Sequence, residues 1–186
     1  HTPEATANLN DGVVYLRELA KSDLDRTLDW MSRSEIRTAI RIRGPATRES
    51  QEAWFERLQK TRDKVVYAIC LTEDHQHVGN LSLDQIDPDD RNARFSIFIA
   101  DEGARERGIG SRAMRLLMLD AFHNRGLAKI WCKTTAENQK VLDFYTKLGF
   151  QVEGNLRHHE CIDGKFVDKI LLGLLSTEWQ DGPSTR

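Results

Sequence analysis

Three runs rich in β-branched and aromatic residues, 65–71, 78–83 and 95–99, follow one another with only the polar breaks 73–76 and 87–90 between them, and no helical period intervenes. Strands joined this closely pair antiparallel, because a parallel crossover needs a dozen or more residues. The middle of the chain is therefore a β-meander. Its character then changes. Apolar residues recur at helical spacing over 109–124, a strand-like run covers 130–134, a second helical period covers 138–148, and the chain closes on a hairpin turning at Asp163 and Gly164. Ahead of the meander, 13–19 reads as a strand. Ser22, with Asp25 three residues on, opens a helix through Leu24, Leu28 and Met31, and Thr47 caps another with Trp54 and Leu58 on one face. The basic stretch 33–48 reads as irregular.

The chain is 186 residues long and 39% hydrophobic, enough for one domain with a substantial core, expected over 12–180. The polar, aperiodic stretch 1–11 reads as a disordered terminus or tag remnant, and 181–186 as a loose tail. A net charge of -2, with both signs spread along the chain, lacks the basic footprint of a nucleic-acid binder. No apolar run approaches the ~20 residues of a membrane span, and no signal-peptide pattern is visible, so a cytoplasmic protein without a membrane partner is expected. Cys70, Cys132 and Cys161 are odd in number and widely spaced, which suits reduced thiols rather than disulfides or a metal site.

Between the third meander strand and the long helix lies Arg105-Glu106-Arg107-Gly108-Ile109-Gly110-Ser111. Glycines at a strand-to-helix junction allow close approach of a ligand, and the free first-turn amides at the positive end of the helix dipole suit a pyrophosphate. Arg105 and Arg107 add cationic donors. The plainer reading is a tight turn with solvated arginines. Gly108 to Ala113 also satisfies a dinucleotide fingerprint, but that fold needs an opening βαβ unit and an acid ~20 residues on, whereas a meander precedes and the next strand offers Lys129 and Lys133. No Gly-Lys-Ser/Thr ending marks a triphosphate loop. In the second helical stretch, Val141, Leu142, Tyr145 and Leu148 share a face before Gly149 ends the helix. Taken alone, Tyr145 reads first as a core aromatic.

Together these stretches resemble the GNAT superfamily of N-acetyltransferases. Its Arg/Gln-x-x-Gly-x-Gly/Ala loop matches Arg105, Gly108 and Gly110, and its second motif matches 138–150. Trp54-Phe55-Glu56-Arg57-Leu58, and the tail carrying Gly154, Arg157, Gly164 and Asp168, look like the branch that acetylates ribosomal-protein N-termini; polyamine and amino-sugar acetyltransferases share that look. The resemblance implies an α/β (α+β) fold, a mixed sheet of about seven strands with a splayed centre and about four helices. It implies acetyl-coenzyme A as co-substrate with no metal, and a primary amine as acceptor: a peptide N-terminus, a polyamine or an amino sugar. The main chain of Ile97, Phe98 and Ile99 would hold the pantetheine arm or the acetyl carbonyl. Arg105, Arg107, Gly108, Ile109, Gly110 and Ser111 would cradle the pyrophosphate, Asn138 would position the arm, and Tyr145 would protonate the leaving thiolate. Ordinary phenol and thiol pKa values of roughly 10 and 8.5 make that transfer only modestly uphill. Relatives often carry a glutamate where Phe95 stands, which leaves Asp84, Glu102, His158, His159 or a water relay as the base. The alternative is a catalytically idle domain that binds acyl-coenzyme A. An exposed edge in the terminal hairpin is open to pairing as a homodimer.

Overall fold

The computed structural model describes residues 9–180 apart from Arg41 and Arg43, so the outer parts of the expected termini lie outside the described residues. The inner end of the expected loose N-terminus belongs to the fold. Leu9 is fully buried in the core, Asn10 bridges Tyr15, and Asp11 accepts from the amides of Val13 and Val14 at 2.9 and 2.8 Å.

The elements run β1 (Val14–Glu18), α1 (Leu24–Met31), α2 (Ser34–Ile40), α3 (Arg48–Lys60), β2 (Val65–Leu71), β3 (His77–Asp87), β4 (Asn92–Ile99), α4 (Glu102–Glu106), α5 (Ile109–Leu119), β5 (Lys129–Thr135), α6 (Gln139–Lys147), β6 (Gln151–Ile162) and β7 (Lys165–Leu175). All seven strands form one mixed sheet in the order β1-β2-β3-β4-β5-β7-β6. β1 to β4 pair antiparallel; the short polar breaks require this for β2 to β4, whereas β1 and β2 are joined through α1, α2 and α3. β4 and β5 are parallel neighbours joined through the α5 crossover. They pair only at Asn92 with Lys129, Ala93 with Ile130 and Arg94 with Trp131, and beyond that register they part. The splayed centre is thus a wedge opening along β4 from Phe95 to Ile99.

Alternation along the strands divides the sheet into two unlike faces. Tyr67, Ile69, Leu81, Leu83 and Phe95 point into the main core, which α5 fills with Ile109, Ala113, Met114 and Leu117. Val66, Ala68 and Cys70 point the other way, under Trp54, Phe55 and Leu58 of α3.

Six α-helices flank the sheet among the described residues, where about four were expected; α2 and α4 are too short for periodicity to reveal. Within the stretch expected to be irregular, α2 buries Ile36 in a cluster with Trp30 and Ala100. Asp101 caps α4 by accepting from the Ala104 amide at 2.9 Å. Asp23, rather than Ser22, organises the start of α1: its carboxylate takes the Ala20 amide at 2.8 Å and both guanidinium nitrogens of Arg17 at 2.7 and 2.8 Å. The expected long helix narrows to α5 and then widens into a π turn over Asp120–Asn124. There the buried Asp120 accepts from the Tyr67 hydroxyl and from Nε of Arg125, both at 2.7 Å.

Candidate active site

The wedge is lined on one side by the free edge of β4. The Ala100 amide donates to Val78 of β3 at 2.8 Å, so residues in phase with it, Phe98 and Ser96, turn their peptide groups to β3. Ile97 and Ile99 turn theirs into the wedge, and there Nε of Arg105 donates to the Ile99 carbonyl at 2.6 Å. Of the three main-chain segments expected to face a cofactor, those of Ile97 and Ile99 turn into the wedge. The Phe98 peptide belongs to the ladder with β3.

The mouth of the wedge is formed by the turn between α4 and α5. Gly108 is the N-cap of α5 with φ 72° and ψ 20°, a conformation that favours glycine, and it offers no side chain to cap the helix. The amides of Ile109, Gly110 and Ser111 thus have no intrahelical acceptor. Gly110 lies between the two walls: an added Cβ would stand 3.6 Å from the Phe144 ring of α6 and 3.9 Å from Ile99 of β4. Arg107 reaches away to Glu73 at 2.9 Å, an exposed pair that a phosphate could displace at small cost, and Arg112 pairs with Asp11 at 2.9 Å. Arg105 keeps its Nη groups beyond the bond to Ile99. Helix amides without intrahelical acceptors, flanking guanidinium groups and a stretch of β4 edge not paired to β5 together fit a pyrophosphate carrying a thin arm.

Tyr145 stands on α6 in an aromatic cluster, with ring centroids 5.4 Å from Phe95, 5.2 Å from Phe144 and 5.6 Å from Phe150. Among the described residues its hydroxyl has no hydrogen-bond partner. Burial holds the phenol well above its ordinary 10.0, with Cys132 of β5 adding to the effect. The Cys132 thiol, also desolvated, is pushed up to about 12. This corrects the expectation from ordinary values: full proton transfer from Tyr145 to a thiolate is steeper than that, and the group acts as a hydrogen-bond donor until the sulfur carries charge. Asn138 caps α6, its Oδ1 accepting from the Val141 amide at 3.3 Å, which leaves its NH2 group as a donor.

β4 has a second role on the opposite face, where α1 and α3 roof a cavity of about 510 Å³. Its floor is a polar stripe running across two strands: Asn80, Ser82 and Asp84 of β3 beside Arg94 and Ser96 of β4. Asp84 is almost fully buried and takes Nε and Nη2 of Arg94 at 2.7 and 3.2 Å; Ser82 and Ser96 bond at 2.9 Å. Met31, Trp54 and Phe98 form apolar walls. Of the candidate bases, only Asp84 lines this cavity. Glu102 is exposed on α4, His158 stacks on Phe166 with centroids 5.8 Å apart, and His159 Nε2 lies 3.0 Å from Lys133 Nζ. Phe95 is 2% exposed and belongs to the aromatic cluster. Apart from Asp84, the floor escaped sequence analysis, although polar residues at alternate positions 80, 82 and 84 are a period-two signal in a strand that is buried on both faces. No group of three metal-ligating side chains occurs among the described residues.

A family sequence model described as "Acetyltransferase (GNAT) domain" matches residues 14–151. A spermidine N(1)-acetyltransferase of Escherichia coli K12 is 32% identical over 106 residues, 57% of this chain and 56% of that protein, so the match spans little more than half of this relative. A Bacillus subtilis protein named "Probable N-acetyltransferase YjcK" is 27% identical over 178 residues, 91% of this chain and 98% of its own length. The solved structure of spermidine N-acetyltransferase from Vibrio cholerae in complex with CoA and spermine superposes with a TM-score of 0.84, at 20% identity over 91% of this chain and 98% of that one, which shows the shared fold.

Proposed function

This chain belongs to the GNAT acetyltransferase domain family, and from that premise we propose that it moves an acetyl group from acetyl-coenzyme A to a primary amine by direct attack while both are bound. The observation that carries this reading is the parting of β4 from β5 beyond Arg94 and Trp131, with unpaired helix amides at its mouth and the Tyr145 hydroxyl unpartnered beside it. Acetyl-coenzyme A supplies an activated acyl carbon. In the transfer a nitrogen–carbon bond forms, the carbon–sulfur bond breaks, one proton leaves the amine and one is taken up at sulfur.

The chain's residues divide that work between the two sides of β4. Amides of Ile109, Gly110 and Ser111, with Arg105 and Arg107, hold the pyrophosphate. The Asn138 side-chain amide steadies the arm, and the edge peptides of Ile97 and Ile99 bind it and donate to the acetyl oxygen as charge gathers there. Phe98 contributes its side chain to the opposite cavity rather than its peptide to the arm. Tyr145 donates to the departing sulfur. Asp84, held by Arg94, is the carboxylate nearest in role to a base, either directly or through water.

The same reading includes three further points. The residues around Trp54 and Arg157 support the branch acting on protein N-termini. The three free cysteines support a cytoplasmic setting. Val152 and Phe166, 62% and 60% exposed on the terminal hairpin, support a homodimer.

Release of coenzyme A thiol, followed with acetyl-coenzyme A and a panel of N-terminal peptides, spermidine and amino sugars, tests the central claim. At least one amine should accelerate release and appear acetylated by mass. Tight coenzyme A binding with no acceleration by any amine would leave an idle binding module instead.

A further inference from the structure

The charges around the 510 Å³ cavity are unbalanced. Among the described lining residues Arg57, Lys64 and Arg94 are basic and Asp84 is the sole acid. Asp84 is neutralised by the two-bond grip of Arg94. Arg57 and Lys64 have no ion-pair or hydrogen-bond partner among the described residues. Lys64 is half-buried, with Nζ 5.9 Å from the centre of the Trp54 ring, so its charge sits on the cavity wall rather than free in solvent. An ammonium entering here to meet the wedge finds one carboxylate that is already paired. A second or third ammonium on the same molecule would meet Arg57 and Lys64.

We infer that the acceptor is a primary amine that also carries an anionic group, a carboxylate or phosphate, and that Arg57 and Lys64 receive that group while the amine lies over the Asn80, Ser82 and Asp84 floor. This rests on the transfer reading above and names its substrate class. Polyamines are disfavoured by the same charges, whatever the fold shares with polyamine acetyltransferases. Like charges brought together in a partly desolvated pocket repel, and each half-exposed cation facing an anion contributes a few-fold in affinity. Two cations therefore predict a preference of about five- to tenfold for an anionic amine over its neutral twin.

The test uses matched pairs at fixed ionic strength: glucosamine 6-phosphate against glucosamine, and a dipeptide amide with glutamate as its second residue against the glutamine version, with spermidine alongside. The two pairs separate phosphate from carboxylate sources. Both kcat/KM from thiol release and Kd from calorimetry are measured for the unaltered chain and for Lys64→Glu and Arg57→Glu. The expected result is a fivefold or greater preference for an anionic member, cancelled or reversed in the charge-reversal variants while their melting temperatures hold. Neutral amines or spermidine performing as well as or better than the anionic ones, or a preference that survives both reversals, would overturn the inference and leave acetyl transfer intact. If no amine releases thiol, the transfer reading falls and calorimetry alone decides. Tighter binding of the anionic twin that depends on Lys64 and Arg57 supports the charge assignment, and equal or absent binding of both twins overturns it.

Discussion

The Tyr145 hydroxyl has no partner, although its ring is packed on three aromatic neighbours. Removing a hydroxyl that makes no hydrogen bond breaks none, so its loss should cost little in folding terms. Tyr145→Phe should accordingly keep the melting temperature and coenzyme A affinity while lowering turnover by ~10²-fold, the usual loss of a general acid. A fully active variant would hand protonation of the sulfur to water. Cys132, close by, gives a separate alkaline signature. Burial raises its pKa from 9.0 to about 12, so the folded thiol keeps its proton at pH values where the unfolded one ionises. A raised folded pKa adds stability that is complete below about pH 9 and is lost as pH climbs toward 12, at up to about 1.4 kcal/mol per unit. Denaturant titrations at pH 7, 9 and 10.5 should show a fall above 9 that is shallower in Cys132→Ala. Identical slopes would mean the thiol is not desolvated.

At the scale of elements, the start of α5 works because three things coincide: a left-handed Gly108, a side-chain-free Gly110 and the ends of β4 and α6 on either side. The clearance at Gly110 is ordinary van der Waals contact, so Gly110→Ala should fold normally. A larger side chain would project between Ile99 and Phe144 into the mouth of the wedge. Gly110→Leu should weaken acetyl-coenzyme A binding at least tenfold by calorimetry with helical content unchanged; retained affinity in a folded variant would relocate the pyrophosphate. The two helices missed by sequence analysis have a common cause. α2 and α4 are 7 and 5 residues long, shorter than the length at which periodicity or propensity speaks, and exist because Ile36 is buried against Trp30 and Asp101 caps the Ala104 amide.

For the whole molecule, the unlike faces of one strand explain the layout: β4 gives its edge peptides to the wedge and its Arg94, Ser96 and Phe98 side chains to the cavity, so under the proposed transfer donor and acceptor would meet across a single strand. The sheet ends on β6, whose register shifts between Val152 and Gly154 and between Leu156 and Glu160 break up a flat pairing edge. Association is therefore expected through side chains of the hairpin. Sedimentation should give twice the 21.4 kDa chain mass, falling to one copy in Phe166→Glu, and a monomer at all concentrations would remove the dimer. The strand succession, the Asp163–Gly164 hairpin, the glycine turn ahead of α5 and the helical face bearing Tyr145 were all legible in the residues, because those depend on local spacing, turn chemistry and hydrophobic period. Which peptides of Ile97, Phe98 and Ile99 face the wedge emerged from the folded chain, since that phase is set by pairing with β3, as did the bond from Arg105 Nε to Ile99. Folding alone gathered Arg57, Lys64, Asp84 and Arg94 around one cavity, because they come from separate elements and charge proximity across elements leaves no mark on local pattern.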